Sequence, residues 1–379
     1  MKIIFILSMF FIFYTYIIYP FILLIRSKLF PKPINKQYCD ILPMVSIVIA
    51  ARNEEKNIEK RINNLLELDY PSARFEIVVV SDGSDDNTNQ IVRECAARSA
   101  LVRIFVCAPS RGKASALSKG VREAQGEIIV FADCRQWFDR RVVMELVANF
   151  NDPQIGCVSG ELVFVEQRAS TIQKEMGVYW RYEKMVRKLE SQGGSVVGAT
   201  GAIYAIRREL YKDIPAETIL DDVLLPMIIV MQGQRCVFDP SAVAYDTVSK
   251  DMRSEMTRKI RTLAGNWQLL KIAPELMSPL QDSIWWCFLS HKIFRLLVPF
   301  WMLSVFFANF FLAGLFFTIT LVAQLVFYGV AVAAYLKPEF RELRPVSLIY
   351  FFVNLNYAVL LGTWCFFSGN TAKTWRKVA

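Results

Sequence analysis

Residues 3–25, IIFILSMFFIFYTYIIYPFILLI, hold no charged side chain. Crossing the hydrocarbon core takes about 20 apolar residues, so this run is long enough to span a bilayer. A secretory leader would have a shorter apolar stretch followed by a small-x-small cleavage site. Neither is present here, and a retained anchor is expected. The apolar excess returns at the other end of the chain. From about Trp285 to Leu336 it suits two spans, preceded by an interfacial helix containing Trp285 and Trp286. A third run, about Ser347 to Ser368, follows the charged loop KPEFRELR. The chain should therefore have one span before, and three after, a polar middle. The apolar fraction of 54%, above the roughly 45–50% of soluble domains, is explained by the two ends.

Arg26, Lys28, Lys32 and Lys36 follow the first span closely. By the positive-inside rule they place the polar middle in the cytoplasm. The basic tail residues Lys373, Arg376 and Lys377 point the other way, because four crossings would put them outside. The first-span bias is taken to decide. The net charge of +9 fits anionic lipid and phosphorylated substrate better than nucleic acid in a membrane protein. The eight cysteines include no C-x-x-C pair and read as reduced and structural. His291 is the one histidine. That removes His-rich zinc sites and tells against a Ser-His-Asp triad; His291 is expected at a membrane interface rather than as a catalyst.

The polar middle alternates strand and helix. VSIVIA, FEIVVVSD, RIFVC and EIIVFAD read as buried strands, and NIEKRINNLLELDYP and KASALSKGVREAQ as helices. Such alternation means βαβ units and a largely parallel sheet. Ligands of such sheets sit at the carboxyl ends of the strands. The clusters Arg52–Glu54, Ser81–Asp86 and Asp133–Arg135 all fall at such ends and should converge. SRGKASAL is not a P-loop: Cys107 stands where the first glycine belongs and Ala114 replaces Ser/Thr. No G-x-G-x-x-G opens a helix. The carboxylate of Asp82 can accept hydrogen bonds from a base or ribose. A diphosphate needs positive charge, which Lys113, Arg135 or a metal at Asp133 could supply.

In order and spacing, VSIVIAARNEE, VVVSDGSDDNT, RGKASALSKGV, FADCRQ, TGAIYAIRREL, LDDVLLP and RKIRTLAGNW resemble the motifs of family-2 glycosyltransferases. The resemblance covers about residues 44–270. The flanking spans are similar to those of the membrane-bound branch, which includes cellulose, hyaluronan and poly-N-acetylglucosamine synthases. It implies an α/β GT-A domain with a Rossmann-like, mostly parallel sheet. The expected layout is an anchor (1–26), a linker (27–43), a cytoplasmic transferase domain (44–272) and interfacial and spanning helices (273–379).

The resemblance also implies roles. Asp82 and Glu54 would serve the nucleotide, and Asp133 matches the first acid of D-x-D, which holds Mg²⁺ or Mn²⁺. Arg135 replaces the second acid, so dependence on that cation is open. Lys113, Arg258 and Arg261 would face the diphosphate. Asp222 matches the last acid of T-E-D, the general base, with Asp221 beside it. In the Q-x-x-R-W segment Arg258 replaces Gln, Arg261 matches Arg, and Thr262 replaces the tryptophan that stacks on the acceptor of processive synthases. The implied function is inverting transfer from a nucleotide-diphosphate sugar, usually UDP-linked, to a lipid-linked or growing glycan acceptor at the bacterial plasma membrane. A processive synthase that translocates its polymer and a non-catalytic nucleotide-sugar binder are the alternatives. Three aromatics, Tyr179, Trp180 and Tyr182, could line an acceptor channel or pack in a core, and Arg207 and Arg208 could bind phosphate or stand in solvent. Donor sugar, linkage and oligomeric state are not specified by any motif.

Overall fold

The computed structural model describes residues 1–165, 171–247 and 252–369. The basic tail Lys373, Arg376 and Lys377 lies outside the described residues. An eight-stranded sheet forms the centre, built from β1 (Val45–Ala51), β2 (Phe75–Asp82), β3 (Val102–Cys107), β4 (Ile128–Ala132), β5 (Trp137–Phe138), β6 (Ile155–Val165), β7 (Ile203–Arg207) and β8 (Arg235–Thr247). The strand order is β3-β2-β1-β4-β7-β6-β8-β5. β1, β2, β3 and β4 pair in parallel, as the βαβ pattern predicts, and β6 runs parallel to β8. β7 joins the two halves by antiparallel pairing to β4 and β6.

Both faces of β1, β2 and β4 are buried, which is why these segments read as unbroken apolar runs rather than alternating ones. One core lies on each side of the sheet. Ile47, Ile49, Ile77 and Val130 point to one; Val48, Val80, Ile129 and Phe131 point to the other, where the helices Asp221–Met231 and Lys113–Glu123 pack.

Among the described residues, four helices are long and apolar enough to cross a membrane: Lys2–Leu29, Trp285–Asn309, Leu315–Leu336 and Arg344–Phe367. Trp285 and Trp286 begin the second of these rather than forming a separate interfacial helix. The first packs on the second through Phe11, whose ring stacks on Trp301 at 4.9 Å, and Tyr14, whose hydroxyl lies 2.9 Å from Ser290 Oγ. Arg344–Phe367 packs on the helix Met252–Ile272, where a Cβ at Gly362 would come 2.8 Å from Leu263.

A strap runs from the first helix to β1. Arg235 donates to the carbonyls of Lys32 (2.9 Å), Pro33 (3.3 Å), Gly194 (2.9 Å) and Ser191 (3.2 Å). Lys36 pairs with Glu145 at 2.6 Å and Asp239 at 2.8 Å. Arg207 donates to the carbonyls of Ile155, Phe150 and Asp152, and Arg208 to that of Ala124. Arg207 thus ties the backbone leading into β6, and Arg208, although exposed, ties the backbone before β4. All eight cysteines are free thiols.

Candidate active site

The carboxyl ends of β1, β2 and β4 carry the polar residues, and the loops after them are stitched together. Asn53 adopts φ 53°, a left-handed conformation that Asn tolerates better than most residues. Its side-chain oxygen accepts from Asp85 N at 2.8 Å, while Asn53 N donates to Ser84 Oγ at 3.2 Å. Glu54 N donates to Thr88 Oγ1 at 2.8 Å, and Glu54 Oε2 accepts from Asn57 at 2.8 Å.

Asp82, at the tip of β2, is buried. Its oxygens accept from Ser110 Oγ at 2.7 Å and from the amides of Arg111 and Gly112, both at 2.8 Å. A carboxylate offers about four lone-pair sites, so most of its capacity holds this loop. Gly112 has φ 99°, where a side chain would be strained, and it delivers Lys113 as the first residue of the Lys113–Glu123 helix.

Lys113 is the hub. Its Nζ lies 3.1 Å from Asp133 Oδ1, at the end of β4, and 3.6 Å from Asp221 Oδ2. Burial works against its charge, but the charges of Asp133, Asp221 and Asp222 outweigh it and hold the ammonium well above the usual lysine range. Asp221 and Asp222 open the Asp221–Met231 helix, where a negative charge is favoured by the helix dipole. Asp221 is 3% exposed, and its Oδ2 has no hydrogen-bond partner. Burial first, opposed by Lys113, then the charges of Asp222 and Asp133, push its carboxyl up to about 6. Asp222 is half-buried. Its carbonyl accepts from Ala199 N at 2.7 Å, and a Cβ on Gly201 would come 2.7 Å from its Oδ2. Gly201 is therefore what gives this carboxylate room.

The raised acid at Asp221 has a consequence for stability. Above pH 6 the folded protein holds an ionised, buried carboxylate that the unfolded chain would hold in water, a penalty of about 3 kcal/mol for a shift of about two pH units. The penalty is full above the folded value near 6 and fades as the pH falls toward the ordinary aspartate value. Thermal unfolding of wild type and Asp221→Asn between pH 4 and pH 8 should show the difference. Wild type gains stability on acidification through this window relative to the variant; parallel curves would show that Asp221 is not held this way.

Three of the expected arginines diverge. Arg261 is partly buried in the field of Asp221, Asp222 and Asp133, with burial pushing its guanidinium down and the three acids pulling it back up. It belongs to the cluster. Arg258 is drawn off to Glu255, 3.2 Å away on its own helix. Arg135 pairs with the buried Asp246 near the end of β8, which also accepts from Gln136 Nε2 at 2.8 Å. Thr262 is exposed. Trp267 does not take the place of the missing tryptophan: its Nε1 donates to Thr363 at 2.9 Å and its ring lies against Phe367. Tyr179 packs on Phe351, Trp180 on Phe164 of β6, and the Tyr182 hydroxyl donates to the Tyr16 carbonyl, so all three take part in packing against neighbouring elements.

Could these residues take a divalent cation? Among the described residues, no three His, Cys, Asp or Glu side chains are placed so as to hold a metal ion between them. Asp133 is 37% exposed at its side chain and binds Lys113 through one oxygen only. Magnesium is commonly held by one or two carboxylates plus substrate phosphates. The donor set therefore fits a cation shared between Asp133 and a diphosphate, and does not fit one caged by protein alone.

Residues 46–215 match the family model Glycosyl transferase family 2. The chain is 26% identical over 237 residues to the probable glycosyltransferase YdaM of Bacillus subtilis, covering 59% of this chain and 56% of that protein. It is 24% identical over 252 residues to the poly-beta-1,6-N-acetyl-D-glucosamine synthase of Staphylococcus aureus, covering 65% of this chain and 60% of that one. The chain thus spans rather more than half the length of these curated relatives. Among solved structures it superposes on the mannosyltransferase PcManGT from Pyrobaculum calidifontis, in complex with GDP-Man and Mn²⁺, with TM-score 0.72 and 21% identity over 99% of both chains. The sheet and its helices are a GT-A-like fold. The chain carries a family-2 glycosyltransferase domain, related to polysaccharide synthases.

Proposed function

We propose that this protein is an inverting membrane glycosyltransferase that moves a sugar from a nucleotide-diphosphate donor, UDP-linked, to a lipid-linked or growing glycan acceptor. Its domain would face the cytoplasm at the bacterial plasma membrane, and its product would serve surface polysaccharide or glycolipid synthesis. The observation that carries this reading is the convergence of Asp133, Asp221, Asp222 and Arg261 around Lys113 at the carboxyl end of β4.

The acceptor hydroxyl must lose a proton as it attacks the anomeric carbon, and Asp222, the more accessible of the two neighbouring acids, takes it. Asp221, held by Lys113, keeps its charge in the site and orients that lysine. The diphosphate leaves with growing negative charge, which Lys113 and Arg261 stabilise; Arg135 and Arg258 reach it only by leaving Asp246 and Glu255. Fixed cations in a site shielded from water are effective at this. Asp82 and Glu54 shape the nucleotide side, Asp82 by fixing the loop before Lys113. Asp133 would hold a divalent cation when one is bound, and that cation would add positive charge to offset the leaving diphosphate.

Nucleotide-diphosphate release by the full chain in lipid, over a panel of nucleotide sugars with Mn²⁺, Mg²⁺ or excess EDTA, tests the reading. Release with one donor, stimulated by an added native lipid extract and reduced by EDTA, is expected. Absence of release with every donor even after lipid extract is added would favour a non-catalytic binder. A ladder of long products would favour a processive synthase, although Thr262 stands exposed at the motif's tryptophan position and Trp267 is held by Thr363 and Phe367.

A further inference from the structure

On the helix Thr171–Gly193, Glu183, Arg187 and Glu190 are spaced i, i+4, i+7 and share one face. That face meets the start of the Trp285–Asn309 helix. Glu183 is taken by Arg295 and by His291 Nε2 at 3.1 Å. Glu190 is taken by His291 Nδ1 at 2.7 Å, by the Tyr19 hydroxyl at 2.5 Å and by Val197 N at 3.4 Å. His291 is thus a buried partner of two carboxylates rather than an interfacial residue. With both acids committed, Arg187 donates only to neutral oxygens, Thr200 Oγ1 at 2.6 Å and the Ala199 carbonyl at 3.1 Å. Lys292, beside His291 and half-buried, makes no hydrogen bond or ion pair among the described residues.

Two cations with no carboxylate bonded to them therefore lie close together, beside the start of the Asp221–Met231 helix. Arg187 holds the Ala199 carbonyl while Ala199 N donates to the carbonyl of Asp222, and the charges of Arg187, Glu183, Asp222 and Arg295 all act on Lys292. An ionised side chain within an apolar, membrane-length helix is costly and marks a functional site by default. Here the ammonium has anions nearby but none within ion-pair distance among the described residues. The donor's diphosphate has its own cations in Lys113 and Arg261, placed by Asp133 and the strand ends. Lys292 instead approaches from the apolar helices.

We propose that Arg187 and Lys292 form an anion subsite on the acceptor side of the centre, and that its ligand is the phosphate of a membrane lipid. The lipid's tail lies along the apolar helices and its head group is brought to Asp222. This rests on the transferase reading above and names the chemistry of the acceptor.

The test is binding of dodecyl phosphate to the full chain in non-ionic detergent, followed by calorimetry, with inorganic phosphate and UDP as separate arms. Saturable binding of dodecyl phosphate is expected, weakened about tenfold or more in Lys292→Gln and in Arg187→Gln, the effect of losing one charged contact. Lys292→Arg should restore it, and UDP affinity should be unchanged in all three. Because Lys292 has no partner to lose, Lys292→Gln should melt no lower than wild type, which keeps the test valid should Arg187→Gln unfold. Unchanged dodecyl phosphate affinity in Lys292→Gln would overturn the proposal. So would a lowered melting temperature for that variant, which would make the lysine structural. Equal competition by inorganic phosphate would overturn the lipid assignment, and loss of UDP binding would assign the pair to the donor. None of these readouts needs turnover, so failure of the transferase reading would be seen separately, as absence of nucleotide release.

Discussion

Asp222→Asn should lower the transfer rate by about 10²–10⁴, the contribution of a positioned general base, with little change in donor affinity. The amide is isosteric and cannot accept the proton. The Ala199 N to Asp222 carbonyl bond at 2.7 Å is a backbone contact and survives the change, so the fold should too. Nucleotide-diphosphate release at saturating donor, with acceptor present, reads the effect. Asp221→Asn is the paired control: its carboxylate is buried against Lys113 and should cost less. If Asp221→Asn were the more damaging variant, the two acids would have to exchange roles.

Lys113→Met should be the most damaging change on the donor side. Three carboxylates would be left facing one another without the ammonium that lies 3.1 Å from Asp133 and 3.6 Å from Asp221. Removing one partner of a wholly buried pair costs about 3–5 kcal/mol. Lys113 is 21% exposed at its side chain, so a loss on the order of 2–3 kcal/mol is expected. The lost charge should also raise the KM for the nucleotide sugar by about tenfold or more. Lowering the pH should restore part of the stability, since protonated acids no longer repel, and should not restore donor binding. Unaltered stability and KM would show that Lys113 is not the hub of the cluster.

The sequence made the parallel half of the sheet legible because β1, β2 and β4 are buried on both faces and leave uninterrupted apolar runs. It hid the other half for a specific reason. β6 and β8 are long, yet their pairing slips between Ser159 and Glu161, opposite Asp239 to Ala242. Gly160 and Pro240 lie at that bulge, and a Cβ at Gly160 would strike the Ala242 carbonyl at 2.6 Å. Those residues read as breakers and conceal the strands. For the site, motif order singled out Asp133, Asp221, Asp222, Lys113 and Arg261, which the fold brings together. It could not foresee that Arg135 would turn to Asp246, since the partner lies 111 positions away. Nor did it signal Arg187 and Lys292, whose interest comes from what their neighbours have already bonded. The unshared charges become visible only once Glu183 and Glu190 are matched to His291 and Arg295.

The strap between the first helix and β1 has a mechanical meaning. Arg235 holds the carbonyls of Lys32 and Pro33 while anchored to those of Ser191 and Gly194, and two carboxylates surround Lys36, so residues 32–36 are tied down at both ends. A loose tether would let the catalytic domain sample many heights over the end of its first helix. This connection behaves as a fixed gauge instead, setting one distance between that helix and the acids at the strand tips. If the proposed transfer to a membrane-held acceptor is right, that acceptor would have to present its reactive hydroxyl at that depth, and its length would be measured before its chemistry is read.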